Sequence, residues 1–129
     1  MPRAMDTVKS FINAWSAGKE AHHAAYRNYF RPDTVWENHG WKTTVGPDAA
    51  IATLNSANAA GVRAEIQHIA ENGNVVMVER TDHITDDAGK LVTSIRVVGI
   101  FEIEDGKIAK WREYFDTKLW DNAMRSIGQ

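Results

Sequence analysis

Asn74–Asp116 reads NVVMVERTDHIT-DDAG-KLVTSIRVVGIFEI-EDG-KIAKWREYFD, three runs rich in β-branched and aromatic residues separated by turn signals. Such runs fit a pleated, half-buried surface, and Asp/Gly clusters between them are hairpin chemistry. A further run of this kind, Val62–Glu71, precedes them across Asn72-Gly73-Asn74. The spacing therefore predicts four antiparallel strands in a meander over Val62–Glu71, Asn74–Thr85, Lys90–Ile103 and Lys107–Phe115.

The chain on either side changes period. From Asp6 to Ala17 the residues Val8, Phe11, Ile12 and Trp15 recur at i, i+3, i+4 and i+7, the stripe of a helix, with Gly18 placed to end it. Glu20–Phe30 repeats the pattern through His22, Tyr26, Tyr29 and Phe30, and Pro32 stops it. A short strand is expected over Thr34–His39. Gly46-Pro47-Asp48 then reads as a turn into a third helix carrying Ile51 and Leu54, with Gly61 as its stop. Thr117–Ile127 is helical again, with Leu119, Trp120, Ala123, Met124 and Ile127 on one side. Helices followed by a run of long strands make an α+β fold, expected as one domain over residues 1–129.

Composition narrows the function. Fifteen Lys+Arg against seventeen Asp+Glu give a formal charge of −2, which supplies no basic stripe for nucleic acid. No apolar run reaches the roughly 20 residues that span a bilayer, and MPRAMDTVKSF lacks the apolar core of a signal peptide, so a cytoplasmic protein without membrane partners is expected. The chain has no cysteine, so chemistry falls to carboxylates, His, Arg and hydroxyls.

Strand alternation sorts those groups by face. In the strand from Asn74, Val76, Val78, Arg80, Asp82 and Ile84 share one face, and Val75, Met77, Glu79, Thr81 and His83 the other. Neither is cleanly polar, so parity alone leaves open which is inside. In the last strand Ala109, Trp111, Glu113 and Phe115 form the aromatic face, and Lys110, Arg112, Tyr114 and Asp116 the opposite one. An Arg-Asp pair is by itself an ordinary salt bridge. A third charge on an apolar face changes the reading, because two carboxylates around one guanidinium can hold a proton between them, one serving as base and one as acid.

At these residues the sequence resembles the limonene-1,2-epoxide hydrolase family, within the SnoaL-like and nuclear transport factor 2-like fold. The matching text is Glu79-Arg80-Thr81-Asp82, Gly99-Ile100-Phe101, and Asp105-Gly106-Lys107-Ile108 leading into Trp111-Arg112-Glu113-Tyr114-Phe115-Asp116, and the likeness runs from about Thr34 onward. It implies a cone-shaped, curved mixed sheet wrapped by N-terminal helices, with a C-terminal helix, around a deep apolar pocket, and a homodimer. It also implies a cofactor-free hydrolase whose partners are a small apolar epoxide, cyclic or terpene-like, and water. The family's Asp-Arg-Asp constellation falls on Asp82, Arg80 and Glu113, the last one methylene longer than the family's Asp. The family's water-positioning Tyr and Asn fall on Trp36 and Asn38; Trp36 has only an N–H donor. On this resemblance Glu113, aided by Asn38, takes a proton from water, Asp82 protonates the leaving oxygen, and Arg80 lies between them.

Other residues read less sharply. Asp116 has the opposite parity to Glu113 and precedes the last helix, the position of an N-cap. His22, His23, His39, His68 and His83 lack H-x-x-x-H or H-E-x-x-H spacing, although Glu37 and His39 share a strand face, and no metal is expected. His68, in line with Val62, Ala64 and Ile66, reads as a semi-buried histidine. Trp15, Trp41, Trp111 and Trp120 read as core or pocket wall. Two alternatives stay open: an isomerase or cyclase of the same fold that moves a proton beside a carbonyl, with Tyr26, Tyr29 or Trp36 as donor, and a non-catalytic domain that binds a small ligand.

Overall fold

The computed structural model describes residues 3–56 and 61–127. Helix α1 (Ala4–Asn13) buries Thr7, Val8, Phe11 and Ile12, the stripe anticipated from its spacing. It tightens into a 3₁₀ turn over Ala14–Ala17 that places Trp15 in the core. Gly18 breaks the run at φ 116°, a conformation side chains disfavour, and opens α2 (Lys19–Tyr29). Strand β1 spans Phe30–Asn38, β2 Thr43–Val45 and α3 Pro47–Ser56. The meander follows as β3 (Gly61–Asn72), β4 (Val75–Thr85), β5 (Leu91–Glu104) and β6 (Lys107–Phe115), and α4 (Thr117–Ile127) ends the described chain.

The six strands form one curved sheet in the order β2-β1-β6-β5-β4-β3. All neighbours are antiparallel except β1 and β6, which run parallel and set Trp36 beside Trp111 and Asn38 beside Glu113. The helices α1 and α2 cover the inner face, and the aromatic core lies between: Phe11 meets Trp15, Tyr26 and Trp111 with ring centroids 5.2–5.4 Å apart. A second cluster, Ile84, Ile95 and Val97, receives Trp120 and Met124 from α4. Asp116 caps that helix, its side chain accepting from the amides of Lys118 (3.0 Å) and Leu119 (3.3 Å).

Three expectations need correction, and one element had no expectation. The second helix stops ahead of Pro32 as anticipated, at Tyr29, but the strand expected from Thr34 already begins at Phe30 and runs through the proline, with the β1–β6 register broken between Phe30 and Val35, where proline offers no N–H to a ladder. The short edge strand β2 was not foreseen. Gly61 does not stop the third helix; α3 closes at Ser56, residues 57–60 lie outside the described residues, and Gly61 already belongs to β3. His68 is not semi-buried. A register shift between Ile66 and His68 inserts one residue, inverts the alternation, and leaves the imidazole 85% exposed beside Glu79, 2.8 Å away.

Candidate active site

Parity in β4 resolves itself in three dimensions: Val76, Val78, Arg80 and Ile84 are buried, so the Arg80 face is the inner one. Arg80 is 1% exposed and Glu113 4%. The guanidinium grips both carboxylates. Nε donates to Asp82 Oδ1 at 2.8 Å and Nη2 to Asp82 Oδ2 at 3.1 Å. On the other side Nη1 donates to Glu113 Oε2 at 2.8 Å, and Nη2 closes a second bond to Glu113 Oε1. These are paired, fork-like contacts that hold both carboxylates against one cation. The Arg80 carbon also lies 5.0 Å from the Trp15 ring centre and 6.0 Å from that of Trp111, a cationic contact with aromatic faces.

Arg80 and Glu113 stand on strands that are not neighbours, since β5 lies between them, and the residue they must cross is Gly99. A Cβ there would fall 2.5 Å from Glu113 Oε2, 3.0 Å from Arg80 Nη1 and 3.3 Å from Trp111 Nε1. The ion pair occupies the space a side chain would take. Sequence reading quoted Gly99 without assigning it work; a glycine inside a strand, where it weakens the element, was the available signal.

Asn38 lies beside Glu113 across the parallel β1–β6 pairing, its amide nitrogen donating to the Lys42 carbonyl at 3.2 Å. That contact uses the amide nitrogen, and among the described residues the amide oxygen has no donor. Trp36 stacks on Trp111 at 4.9 Å and 11°. Its N–H has no partner among the described residues.

A cavity of about 70 Å³ opens over this constellation, several times the ~10–15 Å³ that one water requires. Arg80, Asp82, Glu113, Trp36 and Asn38 all line it, so the five residues singled out from sequence converge. Trp15, Trp41, Trp111 and Trp120 line it too, as do His22 and Tyr26, which sequence reading had not brought to this site together. Among the described residues no group of three or more His, Cys, Asp or Glu could hold a metal ion.

Burial governs the electrostatics. It pushes the Glu113 carboxyl above its ordinary range against the opposing pull of Arg80. The Trp111 N–H lies near enough to moderate that rise, though without hydrogen-bond geometry. For Arg80, burial opposes the charge, but Asp82 and Glu113 outweigh it and raise the guanidinium further. Tyr26 is raised well above its usual value, by burial first and then by Glu113. His22 is lowered to about 3, chiefly by burial, so the ring is neutral.

A family model described as the limonene-1,2-epoxide hydrolase catalytic domain matches residues 2–125. Epoxide hydrolase EphG of Mycobacterium tuberculosis (strain ATCC 25618 / H37Rv) is 35% identical over 85 residues, 65% of this chain and 56% of the relative, so the match spans little more than half the relative's length. Among solved structures, an M. tuberculosis LEH-like epoxide hydrolase superposes with a TM-score of 0.76 at 27% identity, over 95% of this chain and 90% of that one. A candidate SnoaL-like polyketide cyclase from Jannaschia sp. CCS1 superposes at 0.75 with 18% identity, over 94% and 90%, a likeness of fold alone. With nearly its whole length matched by that model, and with the paired carboxylates gripping one arginine, the chain belongs to the limonene-1,2-epoxide hydrolase family.

Proposed function

We propose that the protein adds water to a small apolar epoxide, cyclic or terpene-like, to give a vicinal diol in one step, without a cofactor or a covalent intermediate. Arg80 bound to both Asp82 and Glu113 within an apolar cavity is the observation that carries this reading. A water seated between Glu113 and Asn38 has an acceptor for each of its hydrogens: the carboxylate and the amide oxygen. Glu113 takes one proton as the water oxygen attacks an epoxide carbon. The carbon–oxygen bond breaks, and Asp82 delivers its proton to the departing oxygen. Exchange with solvent restores both groups.

The upward push that burial gives Glu113 suits a base, since a stronger base results so long as it is ionised at the working pH. Trp36 cannot accept either water hydrogen. Its part in this scheme is the stacked wall against Trp111, with two acceptors sufficing for the water. A homodimer, implied by the family resemblance, belongs to the same proposal and is tested by sedimentation velocity.

Asp82→Asn and Glu113→Gln each keep size and remove proton transfer, so each is expected to lose at least 100-fold in diol formation while the far-ultraviolet circular dichroism is retained. Labelled oxygen from the solvent should appear in the diol. If either variant retains full activity, the residue's acid or base role fails. One rival of the same fold is favoured by a specific observation: Tyr26 lines the cavity as a neutral phenol, the donor an enolate oxygen would need. Product analysis separates them, because hydrolysis adds a water and isomerisation adds nothing.

A further inference from the structure

Among the described residues, five buried side-chain nitrogen or oxygen atoms have no hydrogen-bond partner, and four of them belong to residues lining the cavity: Trp15 Nε1, His22 Nε2, Trp36 Nε1 and Trp111 Nε1. An unpaired buried polar group has lost its hydration with nothing in return, so a concentration of them at one place demands a reason. Trp111 is accounted for by its proximity to Glu113. The other three are not. A cavity made to hold only hydrocarbon would gain by replacing each with phenylalanine or leucine, which fill similar space with no polar atom to desolvate.

Two of the three are neighbours. The Trp15 and His22 rings lie 5.1 Å apart, brought together from the 3₁₀ turn and α2 by the break at Gly18. Trp15 sits beside the ion pair, carrying the Arg80 guanidinium over its ring, and His22 packs against Trp15. His22 is 7% exposed, and its neutral ring offers one nitrogen as donor and the other as acceptor. An indole N–H next to such a ring is suited to an uncharged oxygen: a carbonyl accepts from Trp15, and a hydroxyl can accept from Trp15 while donating to an unprotonated imidazole nitrogen. A carboxylate or phosphate is disfavoured, because no cation besides Arg80 lines the cavity among the described residues and Arg80 is already held by two carboxylates.

We propose that Trp15 and His22 form a polar subsite, and that the epoxide this protein takes carries a second, uncharged oxygen, a carbonyl or hydroxyl, outside the ring being opened. The inference rests on the epoxide hydrolase reading for the word epoxide, but the subsite itself does not depend on turnover. Hydrocarbon epoxides of the same shape are then the poorer substrates, because they leave both nitrogens buried and unpaired.

The test has two arms. In the first, calorimetric titration compares a cyclic ketone, the corresponding alcohol and the hydrocarbon of the same ring size, none of which can react by epoxide opening. At least tenfold tighter binding of an oxygenated ligand is expected, and equal binding of all three overturns the subsite. In the second, kcat/KM is measured for a keto- or hydroxy-substituted epoxide against its hydrocarbon analogue, in the parent and in Trp15→Phe and His22→Phe, with thermal melts to establish that each variant is folded. The oxygenated substrate should lead by about tenfold in the parent, and each variant should reduce the ratio towards one. A ratio unchanged in both folded variants overturns the assignment to these residues. Selective binding of the ketone or alcohol with no diol from any epoxide retains the subsite and sinks the hydrolase reading. Diol formation without discrimination does the reverse. Should either variant fail to fold, the ligand series on the parent still decides.

Discussion

Gly99 shows how much of the site depends on an atom that is not there. Alanine at this position puts its Cβ 2.5 Å from a Glu113 oxygen, with the backbone of a central strand unable to retreat. Gly99→Ala is therefore expected to displace Glu113 from Arg80, with a rate loss of about 100-fold and a stability loss of 1–3 kcal/mol, read from diol formation and chemical denaturation. His22 offers a second test at this scale. Its pKa falls from 6.5 unfolded to about 3 folded, so the neutral buried ring favours folding fully above pH 6.5 and that contribution is lost as pH falls towards 3, up to roughly 5 kcal/mol. Stability of His22→Phe, measured across this range, should fall less steeply with acid than that of the parent. The catalytic candidates Arg80, Asp82 and Glu113 could be read from residue type, parity and family likeness. His22 could not, because a histidine on a helix stripe looks the same whether it meets a core or a cavity.

The elements were legible where a single period rules them. Val8, Phe11, Ile12 and Trp15 announce α1 and its following turn, and the Asp/Gly clusters announce the meander. Reading failed where an element changes rule midway. The inserted residue in β3 inverts every side chain beyond Gln67, and nothing in Val62–Glu71 marks the place. In β1, Pro32 acts against helix and ladder alike, and only the tertiary pairing shows that the chain is already extended. The C-terminal helix carries a consequence for the cavity through its cap. Asp116→Ala removes the acceptor for the Lys118 and Leu119 amides, costing about 1 kcal/mol, and loosens the turn that holds Trp120 against Trp41, 5.4 Å away. Amide exchange in α4 should accelerate while exchange in β4 and β5 stays as it was.

For the molecule as a whole, the site is a charge cluster in a fold that gains little from it. A buried triad can cost more in lost hydration than its attraction returns, and well-packed apolar replacements are often neutral or stabilising by about 1–4 kcal/mol. The combined variant Arg80→Met, Asp82→Leu, Glu113→Leu is accordingly expected to be inactive and at least as stable as the parent in urea. Arg80→Ala alone, which strands two buried acids, should lose about 3–5 kcal/mol. A triple variant that failed to fold would assign the triad a structural duty instead. The α+β class, strand order in the meander and wrapping helices followed from period and resemblance. The parallel β1–β6 contact that seats Asn38 beside Glu113 joins residues some 75 apart, and no local pattern encodes it.

The chain has five tryptophans, at 15, 36, 41, 111 and 120, and every one lines the cavity. No indole elsewhere contributes background emission, so the intrinsic fluorescence of this protein is in effect a signal from its binding site. Trp36 and Trp111, stacked nearly parallel with ring centroids 4.9 Å apart, are close enough for their excited states to mix, a coupling that circular dichroism reads. A molecule entering the cavity must alter one signal or the other, and so the protein carries its own label for watching occupancy in real time.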